Sequence, residues 1–211
     1  VLAGDFLFAQ ASWHLANLDN VNVVKLLSRV IMDLAEGEIK QNLNRYDSGQ
    51  TFSKYINKSY CKTASLIANS AKAAGVLSEL DDDKLKMLFE FGKNIGLAFQ
   101  VVDDILDFTG NDKQLGKPAV SDLASGYLTA PVLYALEENH NLSVLINREL
   151  AEKEDLKEAL EIIMNSDAIQ RSMKLAEDFA HLSKEAIVWL PDSESKRALL
   201  ALPDFVLSRL Y

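Results

Sequence analysis

Between Phe91 and Phe108 the chain reads as a helix that is apolar on nearly every side, with one polar strip along it. At about 100° per residue, Gly92, Gly96, Gln100, Asp103 and Asp107 fall within an arc of about 80°. Phe91, Ile95, Leu97, Ala98, Phe99, Val101, Val102, Ile105 and Leu106 cover most of the rest. A helix that is apolar all round is buried. Two glycines, an amide and two carboxylates along one side then predict a buried cavity lined by that strip.

The remainder of the chain is helical in the same reading. Apolar residues recur at three- and four-residue spacing, and no stretch alternates long enough to make a strand. Nine glycines and four prolines in 211 residues leave room for long helices. The spacing predicts helices over about Gly4 to Ala16, Asn20 to Asn44, Phe52 to Ala74 with Gly75 as a left-handed cap, and Asp81 to Phe108. Further helices are expected over Leu123 to Asn139, Asp155 to Met164, Ala168 to Leu190 and Ser193 to Leu210. Asp81, Asp82 and Asp83 favour the positive end of a helix dipole and read as a capping cluster. With no repeat and no Gly/Ser/Pro-rich linker, the expected architecture is all-α, one domain over residues 1–211.

Asp103 and Asp107, four residues apart on a helix, repel unless something positive lies between or beside them. Buried without a partner they would be far more costly. Mg²⁺ is one answer, because it takes oxygen ligands and commonly bridges one or two carboxylates to substrate phosphates. Asp104 adds a further oxygen donor. A DDxxD pattern alone is common on solvated helix faces, but here its flanks are apolar on both sides. A metal and diphosphate site explains both the charge and the burial.

Charge and composition narrow the alternatives. The formal net charge is −9, which argues against a nucleic-acid groove. Cys61 is the single cysteine, so neither an internal disulfide framework nor a thiolate zinc cluster is available, and a reducing compartment is expected. His14, His140 and His181 show no ligand spacing. No apolar run approaches the roughly 18 residues of a transmembrane helix. The segment Gly110 to Lys117 superficially has the outline of a phosphate-binding P-loop, but its glycine spacing is one residue too long and Pro118 stands where Ser or Thr is required.

At this level the chain resembles the trans-isoprenyl diphosphate synthases, in particular the long-chain, solanesyl-type enzymes of cyanobacteria and plastids. The segment Gly96-Leu97-Ala98-Phe99-Gln100-Val101-Val102-Asp103-Asp104-Ile105-Leu106-Asp107-Phe108 is similar to the second aspartate-rich motif of that family. Gly4-Asp5-Phe6-Leu7-Phe8-Ala9, Gly37-Glu38-Ile39-Lys40-Gln41, Lys62-Thr63-Ala64-Ser65-Leu66-Ile67, Leu115-Gly116-Lys117-Pro118, Ser121-Asp122-Leu123 and Thr129-Ala130-Pro131 follow the family in order.

The resemblance implies an isoprenoid-synthase bundle around a central cavity, and a prenyltransferase that condenses isopentenyl diphosphate with an allylic diphosphate. It implies Mg²⁺ held by Asp103, Asp104 and Asp107, with Lys62 and Lys117 on the allylic diphosphate. Thr63 and Gln100 lie near the developing allylic cation, and Lys62, Thr63, Gln100 and Asp103 are the catalytic set. The chemistry is consistent: the leaving diphosphate must be neutralised before the carbon–oxygen bond breaks, and water must be kept from the cation.

Several readings stay open on the sequence. Gly92 and Gly96 serve either close helix packing or space for a growing prenyl tail. Lys62 taken alone is a surface lysine. Glu38 and Gln41 are polar residues of a helix face and are left outside the site. The family's first aspartate-rich motif and the basic residues for isopentenyl diphosphate precede the segment matched by Gly4-Asp5-Phe6, so this chain alone is expected to be inactive, and its start at Val1 to reflect processing or truncation. A non-catalytic partner subunit and a terpene synthase of related fold remain alternatives. The family further implies a homodimer, with no membrane span, in a bacterial cytoplasm or plastid stroma.

Overall fold

The computed structural model describes residues 1–110 and 120–210. Among the described residues every regular element is helical. They are α1 (Leu2–Ala16), α2 (Val21–Leu43), α3 (Phe52–Ser59), a π-turn (Tyr60–Ala64), α4 (Ser65–Leu77), α5 (Asp82–Thr109) and α6 (Ser121–Ala124). There follow α7 (Ala130–Glu138), α8 (His140–Asn147), α9 (Asp155–Met164), α10 (Ala168–Glu185), α11 (Glu194–Leu207) and a 3₁₀ turn (Ser208–Leu210).

The element α5 is the axis of the bundle, as its all-round apolarity requires, and α4 and α10 are its main neighbours. Ile95, Ala98, Val101, Val102 and Ile105 belong to the core, together with Leu133 of α7, Ile163 of α9, Ile169 of α10 and Val206 of α11. Asp81 caps α5 by accepting from the Lys84 amide at 3.0 Å, which is the capping role its sequence implied. By contrast α1 buries none of its residues. None of the helices is long and apolar enough to cross a membrane, among the residues described.

Four sequence expectations need correction. The helix expected over Phe52 to Ala74 is interrupted by the π-turn and runs on to Leu77. Gly75 does not cap it; the left-handed residue is Glu79, at φ 55°, and Leu80 N–H bonds back to Gly75 O at 3.2 Å, closing a Schellman motif. Gly75 is needed instead for packing, since a Cβ there would lie 2.7 Å from Leu85 Cδ2 and Leu88 Cδ1.

The helix expected over Leu123 to Asn139 is two elements. Between them Gly126 adopts φ +81° against the Tyr46 ring, and Thr129 opens α7 with Pro131 in its first turn, where no donor is required. The helix expected to reach Leu190 ends at Glu185, while α8 occupies a segment for which none was predicted.

Candidate active site

Two residues of the predicted set, Lys62 and Thr63, sit in the π-turn. Its wider turn is marked by the Ser65 amide donating to Tyr60 O, five residues back. Single π-turns recur at functional sites because they re-aim side chains that a regular helix would place elsewhere.

The turn is held by a stripe on α2 at four-residue spacing. Asp33, only 2% exposed, accepts from Ser65 Oγ at 2.5 Å and from Arg29 Nε at 2.8 Å. One turn on, Gly37 lets the backbones close: a Cβ there would lie 3.1 Å from Cys61 Cβ and from Lys62 N. Another turn on, Gln41 Oε1 accepts from Lys62 Nζ at 2.7 Å, and Glu38 Oε1 lies 3.0 Å from the same ammonium. Sequence reasoning left Glu38 and Gln41 aside; both belong to the site because they orient Lys62.

On the other side of the π-turn, Gly96 of α5 abuts Ala64, and an added Cβ would meet Ala64 Cα at 2.5 Å. Gly92 faces Ile67 O in the same way, at 2.5 Å. Of their two readings, close helix packing is the one realised.

That closeness brings Gln100 to Thr63. Thr63 Oγ1 donates to Gln100 Oε1 at 2.6 Å, Gln100 Nε2 donates to Asp104 Oδ1 at 2.8 Å, and Tyr55 Oη donates to Asp104 Oδ2 at 2.7 Å. The relay fixes the amide's orientation, with its carbonyl turned to the Thr63 hydroxyl.

Asp104 is therefore turned inward, 2% exposed, with both oxygens engaged. Burial raises its pKa to about 6, against the pull of Lys58 and of the Tyr55 and Gln100 hydrogen bonds. Burial also holds Tyr55 well above the ordinary phenol value, with the Asp104 charge adding to it, and pushes Lys58 down despite the attraction of Asp104. Asp104, Lys58, Asp122, Tyr127 and Thr129 share a small polar cavity of about 60 Å³ with Lys62 and Gln100. Among the described residues, the buried hydroxyl of Thr129 has no hydrogen-bond partner.

Asp107 is buried as well, at 0% exposure. It accepts from Ser121 Oγ and from the Asp122 amide, each at 3.1 Å, and so joins the end of α5 to α6. Asp103 alone of the three presents an outward oxygen, and that oxygen holds a cation of the chain itself: Arg209 Nη2 at 2.6 Å, the two side chains 33% and 38% exposed.

The donor set thus differs from a three-carboxylate cage. No group of three Asp, Glu, His or Cys side chains converges to hold a metal ion among the described residues. One outward carboxylate already paired to a stand-in cation does fit Mg²⁺ in its usual phosphate-bridging form, with few protein ligands and several waters.

The structure therefore brings Lys62, Thr63, Gln100 and Asp104 around the junction of the π-turn with α5, and sets Asp103 and Asp107 further along α5, against Arg209 and against Ser121. Lys117 lies outside the described residues. Sequence reasoning missed Tyr55, Lys58 and Arg209. Tyr55 is seven residues before Lys62, at helical spacing, but only the fold shows that its hydroxyl reaches Asp104. Beside Lys62 and Thr63 opens an apolar pocket of about 340 Å³ between α2 and α4, lined by Val30, Leu34, Cys61, Leu66, Ile67 and Phe99.

Comparison with known proteins fits this geometry. The chain is 57% identical over its whole length to a prenyl transferase of Synechocystis sp., of which it spans 65%. It is 49% identical to the chloroplastic solanesyl diphosphate synthase 2 of Arabidopsis thaliana, spanning 50% of that protein and all of this one. The crystal structure of a polyprenyl synthase from Caulobacter crescentus, complexed with calcium and isoprenyl diphosphate, superposes with a TM-score of 0.90 at 33% identity, covering 100% of this chain and 66% of that one. The polyprenyl synthetase family matches residues 1–163, and the chain is a member of that family.

Proposed function

We propose that this chain carries the allylic-substrate half of a trans-polyprenyl diphosphate synthase, which joins isopentenyl diphosphate to an allylic diphosphate. The observation that carries the reading is Lys62 and the Thr63–Gln100 pair beside an apolar pocket, with Asp103 about one helical turn beyond Gln100 on α5. Lys62 supplies an ammonium group to the allylic diphosphate, and Lys117 is assigned to the same group by its motif. Thr63 Oγ1 and Gln100 Oε1 present oxygen dipoles to the carbon that becomes positive. The hydrogen bonds from Gln100 and Tyr55 to Asp104 hold that arrangement still.

Mg²⁺ at Asp103 would supply positive charge to the leaving diphosphate. Asp104 and Asp107 support the motif from behind, each carboxylate fixed by its hydrogen bonds. The pocket of Val30, Leu34, Leu66, Ile67 and Phe99 receives the prenyl tail and keeps water from the cation. The similarity to solanesyl diphosphate synthases supports a long-chain all-trans product, made in a plastid stroma or a bacterial cytoplasm by a homodimer. Turnover is assigned to the protein with the first aspartate-rich segment in place, and the chain alone is expected to bind without turning over.

The test is calorimetric binding of a bisphosphonate mimic of the allylic diphosphate, with and without Mg²⁺, to the full-length protein and its Asp103→Asn variant. Metal-dependent binding should weaken at least tenfold in the variant, about 1.4 kcal/mol or more. Equal metal-dependent affinity in the two would remove Asp103 from the site.

A further inference from the structure

Two lysines four residues apart, Lys58 and Lys62, line the same small polar cavity of about 60 Å³. Lys62 is turned to α2, where Gln41 Oε1 accepts from it at 2.7 Å and Glu38 Oε1 lies 3.0 Å away. Lys58 is placed differently. Its Nζ stands 5.1 Å from the centre of the Tyr55 ring, and Tyr55 is the residue that donates to Asp104 at 2.7 Å.

Two carboxylates, Asp104 and Asp122, line the cavity as well. Asp104 is buried, and the hydrogen bonds it accepts come from two neutral groups, the Tyr55 hydroxyl and the Gln100 amide. Its charge therefore needs a cation nearby. Lys58 is that cation: its charge is the influence that most opposes the effect of burial on Asp104. Burial pushes the Lys58 pKa down. Of the charges acting on it the largest is that of Asp104, which favours the ammonium, then that of Lys62, which opposes it, and that of Asp122, which favours it. The buried Thr129 hydroxyl, without a partner among the described residues, lines the same space, which is polar and roomy enough for water to link these groups.

With the charge of Lys58 removed, the ammonium left in the cavity is that of Lys62. Its contacts on α2 are weak competitors, because Glu38 is 51% exposed and a part-exposed ion pair gains little. An uncompensated buried carboxylate is a much stronger draw. Lys62 would then turn inward, away from an incoming diphosphate.

We propose that Lys58 is a positioning residue: its ammonium neutralises Asp104 and Asp122 from within, so that Lys62 stays turned to α2 and available to the allylic diphosphate. The proposal rests on the reading of Lys62 as a diphosphate ligand.

The test is a double-mutant cycle, read by calorimetric binding of the bisphosphonate mimic in the presence of Mg²⁺ to the full-length protein, to Lys58→Met, to Asp104→Asn and to the two combined. Lys58→Met should weaken binding about five- to tenfold where Asp104 is present, and less than about twofold in the Asp104→Asn background. The rate at which an amine reagent acetylates Lys62 in the ligand-free protein should fall in Lys58→Met and recover in the combined variant. A purely structural role would lower the melting temperature and move neither readout. Equal losses of affinity in the two backgrounds would make Lys58 a remote charge acting on the diphosphate itself and overturn the proposal, as would unchanged labelling of Lys62. Lys58→Gln takes the place of Lys58→Met if the latter does not fold; if neither folds with Asp104 in place, Lys58 serves the fold alone and the proposal falls. Lys62→Met in the same assay tells the two failures apart, because an affinity equal to the parent's removes Lys62 from the diphosphate site, and this proposal with it.

Discussion

Asp104 has exchanged its water for two hydrogen bonds, and its ionisation records the cost. With a pKa near 6 in the fold against 3.8 for an ordinary aspartate, the folded protein holds the proton more tightly than the unfolded chain. Stability from this residue is therefore fully present below about pH 4 and is lost as pH rises through about 6, by about 3 kcal/mol. Asp104→Asn, which keeps an acceptor for Tyr55, is expected to raise the melting temperature near pH 7 and to have little effect near pH 4. Melts across that range check it, and a variant less stable than the parent at neutral pH would reverse the sign assigned here. A helical wheel places Asp103, Asp104 and Asp107 on α5, but it does not distinguish the acid that faces outward from the two that are tied inward. Their partners, Arg209, Tyr55 and Ser121, stand elsewhere in the sequence, so the candidate site was legible as a set of residues and not as a division of labour.

At the level of elements, the site depends on how closely α5 approaches the π-turn. Gly96→Ala places a Cβ 2.5 Å from Ala64 Cα, a backbone contact that no rotamer relieves. The expected loss is about 1–3 kcal/mol in denaturant unfolding, accompanied by weaker binding of the allylic mimic because Thr63 and Gln100 are driven apart. A variant as stable as the parent would show that the two elements separate freely. The main helices were visible in the sequence because their apolar stripes persist over several turns. The π-turn was not, since it changes the period for a single turn, and the break at Gly126 was hidden by apolar residues on both sides of it, Leu123 and Leu128.

For the molecule as a whole, the unburied surface of α1 is the feature with most consequence. Phe6 and Trp13, seven residues apart, are 65% and 60% exposed, and exposed apolar patches of this kind mark contact surfaces. The homodimer proposed above would use them. Sedimentation of this chain should show self-association, and Phe6→Glu with Trp13→Glu should shift it to monomer without lowering its melting temperature; a monomer at every concentration would place the contact elsewhere. The ion pair between Asp103 and Arg209 also has a consequence in time. Arg209 leaves the ribosome roughly a hundred residues after Asp103, an interval on the order of 5–20 s at ordinary rates of synthesis. A newborn chain therefore carries this carboxylate without its arginine, and whichever cation the cell offers meets it first.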